Sequence, residues 1–234
     1  MADGKTNGAG GELAVIVGAG SGLSASLARI LGAAGMKLVL AARRPEKLAE
    51  LVKETGAKAV ACDATKANEV KALFEQVGGV PDLVIFNAGY RTRGPIVELD
   101  PVEVEKTLIS SAFGGFLVAQ EAAKRMLPKG KGSIFFTGAS ASVKGYAQSA
   151  PFAMGKFALR GLAQSLAREL QPKGIHVAHF VIDGGISGTT ADRVSNDDKW
   201  LKPDAIAETY LAVHRQHRSA WSLEIEVRPW VENF

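Results

Sequence analysis

Between Glu12 and Gly184, short apolar runs alternate with segments of helical periodicity, an order that few architectures accept. Residues 12–20 (ELAVIVGAG) are an apolar run ending in glycines. Residues 21–35 put Leu23, Leu27, Ile30 and Leu31 on one helical face and stop at Gly35, a residue suited to a helix C-cap. The strand-then-helix order repeats in 36–44 with 45–56, in 58–64 with 68–78, and in 82–89 with a long helix to 126. It repeats once more in 132–140 with 150–170, and 174–184 closes the series. Asp100-Pro101 reads as an N-cap followed by proline at the first helical position, where a missing N–H costs nothing. Strands separated by helices predict a parallel sheet covered on both faces. Right-handed crossovers make this an α/β, doubly wound sheet in three layers. Residues 222–230 alternate and predict a last strand.

Composition narrows the class. The chain has 234 residues with 47% hydrophobic, enough apolar material for one sizeable core. We expect a flexible Gly-rich segment over 1–11 and a single dinucleotide-binding domain over 12–234. The net charge of +4 is too small, and its basic residues too scattered, to imply nucleic acid. A lone cysteine, Cys62, forms no internal disulfide and is expected to pack as a small hydrophobe. No apolar run approaches the ~18 residues of a membrane span, and the N-terminus lacks the apolar core of a secretory signal. A cytoplasmic protein without membrane partners is the expectation.

The first strand runs into Gly18-Ala19-Gly20-Ser21-Gly22-Leu23. Glycines suit this place because the turn is tight and a Cβ blocks backbone approach to a pyrophosphate. The following helix aims free N–H groups at the phosphates. The position after an apolar strand and before an amphipathic helix gives the cluster its weight.

This loop resembles the Gly-x-x-x-Gly-x-Gly motif of the short-chain dehydrogenase/reductase family, with Gly18 and Gly22 matching and Ser24 in place of the third glycine. Slight local adjustment is expected from Ser24. Cys62-Asp63-Ala64 and Asn87-Ala88-Gly89 match further family segments. The resemblance implies that Asp63 binds the adenine amino group, that Asn87 steadies the sheet, and that Ala64, Ala88 and Gly89 line the cofactor. It covers roughly residues 12 to 190 and implies a Rossmann fold, a nicotinamide cofactor and a small-molecule substrate. Gly20, Ser21, Leu23 and Ile186 are further expected cofactor contacts, and the resemblance implies that Lys156 holds the nicotinamide ribose.

The second strand ends Ala41-Ala42-Arg43-Arg44. A carboxylate there grips the ribose 2′-hydroxyl and favours NAD, whereas a guanidinium pairs with a 2′-phosphate. Ala42 occupies the acidic position and Arg43 follows it, so NADP(H) is the expected cofactor. Two solvated surface arginines are the alternative.

The family's chemistry needs a tyrosine and a lysine one helical turn apart, with an upstream serine and an asparagine in the earlier long helix. Here the pair reads Phe152-Ala153-Met154-Gly155-Lys156. The lysine is present and the tyrosine is not. The serine position falls on Ala139, with Ser140 one residue later, and the asparagine position falls on Ser111. The tyrosine of the family's enoyl reductases falls on Ser149. Tyr146, in the loop before the helix, is within possible reach of the site or is an ordinary surface tyrosine. The resemblance therefore implies an NADPH-dependent oxidoreductase with a degraded proton-donor site. The alternative is a non-catalytic NADPH-binding sensor or assembly protein.

Other features are bland. His214 and His217 share a helical face in this reading, yet no cysteine or carboxylate stands near them in sequence, and no metal is expected. His176 and His179 point to opposite faces of a strand. The stripe Phe157, Leu162, Leu166 and Leu170 reads as core or subunit interface. The polar segment 188–202 reads as a lid. The helices 100–126 and 150–170 are more apolar than one buried face requires, and family members pair through them, so a homodimer or homotetramer is expected.

Overall fold

The structure, a computed structural model, describes residues 11–190 and 198–231. Residues 1–10 of the expected flexible segment and 191–197 of the expected lid lie outside the described residues. A seven-stranded sheet carries the order β3-β2-β1-β4-β5-β6-β7, every neighbour parallel. The strands are β1 (Leu13–Val17), β2 (Lys37–Ala42), β3 (Lys58–Ala61), β4 (Leu83–Phe86), β5 (Gly132–Thr137), β6 (Ile175–Ile182) and β7 (Glu224–Val227). The helices are α1 (Leu23–Ala33), α2 (Ala49–Thr55), α3 (Ala67–Gln76), α4 (Pro101–Leu108), α5 (Gly114–Met126), α6 (Ala150–Leu170) and α7 (Pro203–His214).

Two hydrophobic cores form because the central strands are buried on both faces, which is why they read as mostly apolar runs, whereas the edge strands β3 and β7 are partly exposed. Val15, Val84, Phe86 and Phe136 pack on one side with residues of α3, α5 and α6. Ile16, Leu40, Ile85, Phe135 and Phe180 pack on the other with residues of α1 and α7. The strand order reverses between β1 and β4, and ligands of open parallel sheets bind outside the carboxyl ends of the strands at that point.

The long helix after Asp100 is not continuous. Asp100 caps it as expected, its carboxylate accepting from Val102 N–H at 2.9 Å. A π-helical turn, Ile109–Phe113, then separates α4 from α5. The glycines that follow it allow close contact with the sheet. A Cβ on Gly114 would lie 3.1 Å from the Ala64 carbonyl oxygen, and one on Gly115 would lie 2.6 Å from Leu159 Cδ1. Across the same turn, a Cβ on Gly155 would lie 2.9 Å from Ser111 Cβ, so α6 approaches as closely as it does only through a glycine.

The shared helical face of His214 and His217 is also corrected. α7 ends at His214, and His217 begins a separate short turn in which its ring nitrogen bonds Ser219. His214 instead bonds Ser133 Oγ at 2.8 Å and lies 3.5 Å from Glu12, so a carboxylate absent from the sequence neighbourhood is supplied by the fold. No cluster of three metal-binding side chains occurs among the described residues. The apolar stripe of α6 divides: Leu170 is buried, Leu162 and Leu166 pack against the core, and Phe157 is exposed.

Candidate active site

At the carboxyl ends of β1, β2, β3 and β4 an open cleft of about 210 Å³ is lined by Gly18, Ala42, Arg43, Asp63, Ala64, Asn87, Ala88 and Gly89, among others. Seven of the expected positions, Gly18, Arg43, Asp63, Ala64, Asn87, Ala88 and Gly89, thus meet in one place, whereas Gly20, Ser21, Gly22, Leu23, Lys156 and Ile186 are not part of its lining. Ala19, Cys62, Thr65, Tyr90 and Ser110 also line it and were not expected as cofactor contacts; Cys62 was expected only to pack as a small hydrophobe. Four of them lie within or directly beside a motif, so proximity to a motif was the available signal. Ser110 belongs to the π turn and carried none.

Gly18 has φ +86°, and a Cβ on it would lie 2.4 Å from Ala88 N. The first loop therefore lies directly against the end of β4. Gly20 is different: a Cβ there meets nothing within 4 Å, so it faces open space. Gly22 caps α1 without a side-chain bond to the first-turn N–H groups. Ala25 N–H donates to the Gly22 carbonyl at 2.9 Å, and a helix N-terminus favours an anion at the donors ahead of it. The residues present therefore fit a dinucleotide pyrophosphate. Thr189 closes over the loop, its Cγ2 lying 3.8 Å from where a Gly22 Cβ would be, and its hydroxyl donates to the Ile186 carbonyl at 2.7 Å.

Ser24 does more than adjust. Its hydroxyl donates to the Gly18 carbonyl at 3.1 Å and accepts from Asn87 Nδ2 at 2.7 Å. Asn87 N–H also donates to the Val17 carbonyl at 2.8 Å. The serine in place of glycine thus ties the phosphate loop to the end of β4.

Asp63 accepts from both the N–H and the hydroxyl of Thr65, at 3.0 and 2.8 Å. Burial works to raise its pKa, but the Thr65 bonds and the charges of Lys66 and Arg43 hold it below the usual range. Asp63 stays ionised, as an acceptor must. Arg43 is exposed at the cleft wall. Burial pushes the Cys62 thiol up to about 12, which keeps it protonated among the core residues.

Lys156 is buried, and its ammonium donates to the Thr137 carbonyl at 2.7 Å. Burial pushes it down to about 8. Its Nζ lies 5.8 Å from the centroid of the Phe152 ring, so the two α6 residues do face one another. Arg91 covers the same ring, its guanidinium carbon 4.8 Å from the centroid. Ser140 opens a short turn after β5 and is half-buried. The fully buried hydroxyl there is Ser142, which accepts from Ala139 N–H at 3.1 Å. Ser111 is buried in the π turn, its hydroxyl without a hydrogen-bond partner. It sits beside Gly155 and Gly89, between α6 and the cleft. Tyr146 is half-exposed, with Lys144 near its ring and Lys144 in turn held by buried Asp183 at 3.3 Å.

Residues 12–200 match the family model described as short chain dehydrogenase. An uncharacterized oxidoreductase of Staphylococcus aureus (strain USA300) is 30% identical over 224 residues, which span 93% of this chain and 97% of that protein. A crystal structure of a short-chain dehydrogenase from Rhodopseudomonas palustris is 36% identical with a TM-score of 0.83, covering 94% of this chain and 99% of that one. A metagenomic short-chain oxidoreductase in complex with NADP is 27% identical with a TM-score of 0.83, covering 95% and 99%.

Proposed function

Because this chain belongs to the short-chain dehydrogenase family, we propose that it is an NADPH-dependent oxidoreductase acting on a small organic substrate with a reduced proton-donor apparatus. The observation that carries this reading is the pairing of a cleft at the carboxyl ends of β1 to β4 with Lys156 set against Phe152. NADPH, when bound, supplies the hydride. The loop 18–23 takes the pyrophosphate, Arg43 the 2′-phosphate, Asp63 the adenine, and Lys156 the nicotinamide ribose. Ile186 closes the nicotinamide end. Lys156 at about 8 carries a proton at neutral pH and so presents positive charge to an oxygen that becomes negative. The ring one helical turn before it, Phe152, carries no hydroxyl. General acid–base assistance is worth ~10²–10⁴ in rate, so its loss favours substrates whose product anion is already stabilised, such as conjugated alkenes and quinone-like rings. A panel of carbonyl and conjugated substrates with NADPH tests the reading. Turnover of none of them, in protein that binds NADPH, would leave a binding module.

Cofactor choice has its own test. NADPH is expected to bind about tenfold or more tighter than NADH, since a charge-assisted contact is worth ~1.5–3 kcal/mol. Arg43→Asp should erase or reverse that preference. Equal affinities in the unaltered protein, read by calorimetric titration, would refute it.

The assembly is a dimer or tetramer in this proposal. Val102, Phe113, Phe116, Met154 and Phe157 are exposed on α4, the π turn, α5 and α6, an apolar display that pairing of these helices would cover. Light scattering should give at least twice the monomer mass at micromolar concentration, and a monomer would overturn this.

A further inference from the structure

We propose that a cleft at the amino end of β6 binds a small aromatic carboxylate, at a place separate from the nucleotide cleft. It measures about 440 Å³ and is lined by Gln171, Pro172, Arg218, Ser219 and Trp221, among others. Gly174, which also lines it, directly precedes β6. All strands are parallel, so this is the amino-end side of the sheet, whereas the nucleotide cleft opens at the carboxyl ends. β6 has eight residues, which puts roughly 25 Å between its two ends.

Trp221 forms a fixed wall of this cleft. Its ring lies flat on that of His176, with centroids 4.8 Å apart and planes 3° apart. His176 is buried and bonds the Ser222 carbonyl at 2.8 Å. Trp221 Nε1–H donates to the Gln216 carbonyl at 3.2 Å, and Gln216 Oε1 accepts from Ser222 N–H at 2.8 Å. The ring is thus set in place before a ligand arrives, and its indole donor is already used. His176 covers one face, which leaves the other for a flat group.

The charge in the cleft is one-sided, since no carboxylate lines it. Its other polar side chains are engaged: Gln171 donates to the Val177 carbonyl at 3.2 Å, and the Ser219 hydroxyl bonds a His217 ring nitrogen at 2.8 Å. Arg218 is exposed, and no carboxylate among the described residues stands within ion-pair distance of it. The adjoining cleft shares Arg218 and Trp221 and contains Asp82 and Glu12. There Asp82 has Lys131 at 3.2 Å, and Glu12 faces His214 at 3.5 Å. The end of α6 comes just before Gln171 and carries about half a negative charge, less than the full positive charge of Arg218. The excess suits a monoanion, and a guanidinium fork grips a carboxylate through two parallel bonds. An aromatic acid meets both features, its ring on Trp221 and its carboxylate on Arg218.

The test titrates the whole protein calorimetrically with 2-naphthoate, 2-naphthamide and 2-naphthyl phosphate, each with and without saturating NADPH. The acid is expected to bind about tenfold or more tighter than the amide, whether or not NADPH is present. Arg218→Gln should bring the acid down to the amide's level. Trp221→Leu should weaken acid and amide together, by about two- to tenfold. Neither variant should change NADPH affinity. Arg218 is exposed, so Arg218→Gln is expected to fold even if Trp221→Leu does not, and circular dichroism checks both. Equal binding of acid and amide to the unaltered protein would overturn the proposal. So would an acid preference intact in Arg218→Gln, displacement of the acid by NADPH, or tighter binding of the phosphate dianion than of the acid. Absence of acid binding up to millimolar concentration would overturn it as well.

Discussion

The double variant Phe152→Tyr with Ala139→Ser is expected to reduce a reactive diketone with NADPH about 10²-fold faster than the unaltered protein, the lower end of what general acid assistance supplies. Phenylalanine and tyrosine share a ring, so the first change adds one hydroxyl to a half-buried side chain and needs little repacking. The new hydroxyl belongs to a ring whose centroid is 5.8 Å from Lys156 Nζ, and that positive charge favours the phenolate that proton donation leaves. Ala139 is extended, with φ −157°, and half-buried directly after β5, so serine fits its backbone without strain. The two groups act on one oxygen and should gain more together than the single changes suggest. Loss of NADPH absorbance in stopped-flow or steady-state assays reads the result. A double variant that folds, binds NADPH and shows no gain would mean that Phe152 does not hold the tyrosine position or that no substrate reaches it.

Gly18→Val should destabilise the protein by about 2–5 kcal/mol, combining ~1–2 kcal/mol for a left-handed backbone with ~1–3 kcal/mol for overpacking. The reason is local: φ is +86°, and the added Cβ would lie 2.4 Å from Ala88 N and 2.5 Å from Ala88 Cα, both backbone atoms. Gly20→Ala makes the contrast. Its Cβ meets nothing within 4 Å, so urea unfolding should change by less than ~0.5 kcal/mol. That same Cβ intrudes on the space assigned to the pyrophosphate, so NADPH affinity should fall about tenfold or more. A stable Gly18→Val protein, or a Gly20→Ala protein with full affinity, would contradict the roles given to the two glycines.

Much of this architecture is legible in the chain because periodicity reports burial. The strand run at 13–17 is apolar at every position and those at 38–42 and 134–136 are apolar throughout their buried middles, and Asp100-Pro101 and Gly56 mark helix ends that the backbone adopts. The π turn is not legible. One extra residue per turn barely disturbs a hydrophobic pattern, and its surroundings arise in three dimensions, from Gly114 against Ala64 and Gly155 against Ser111. The nucleotide half of the site was readable because its residues follow strands in order. The other half was only partly so. Phe152 and Lys156 are one turn apart on α6, but Arg91 reaches that ring from the end of β4, and Ser142 turns inward where Ser140 was the nearer match by position. Such neighbours are set by how two loops fold over one helix end, which spacing along the chain does not encode.

The Ser24 hydroxyl, joined to the Gly18 carbonyl and to Asn87, holds the loop in shape before any ligand arrives. A loop already ordered gives up little freedom on binding, so more of its contact energy survives as affinity. None of these bonds involves Phe152, Ala139 or Lys156. Substitutions at Phe152 or Ala139 are therefore expected to leave the shape of this loop intact.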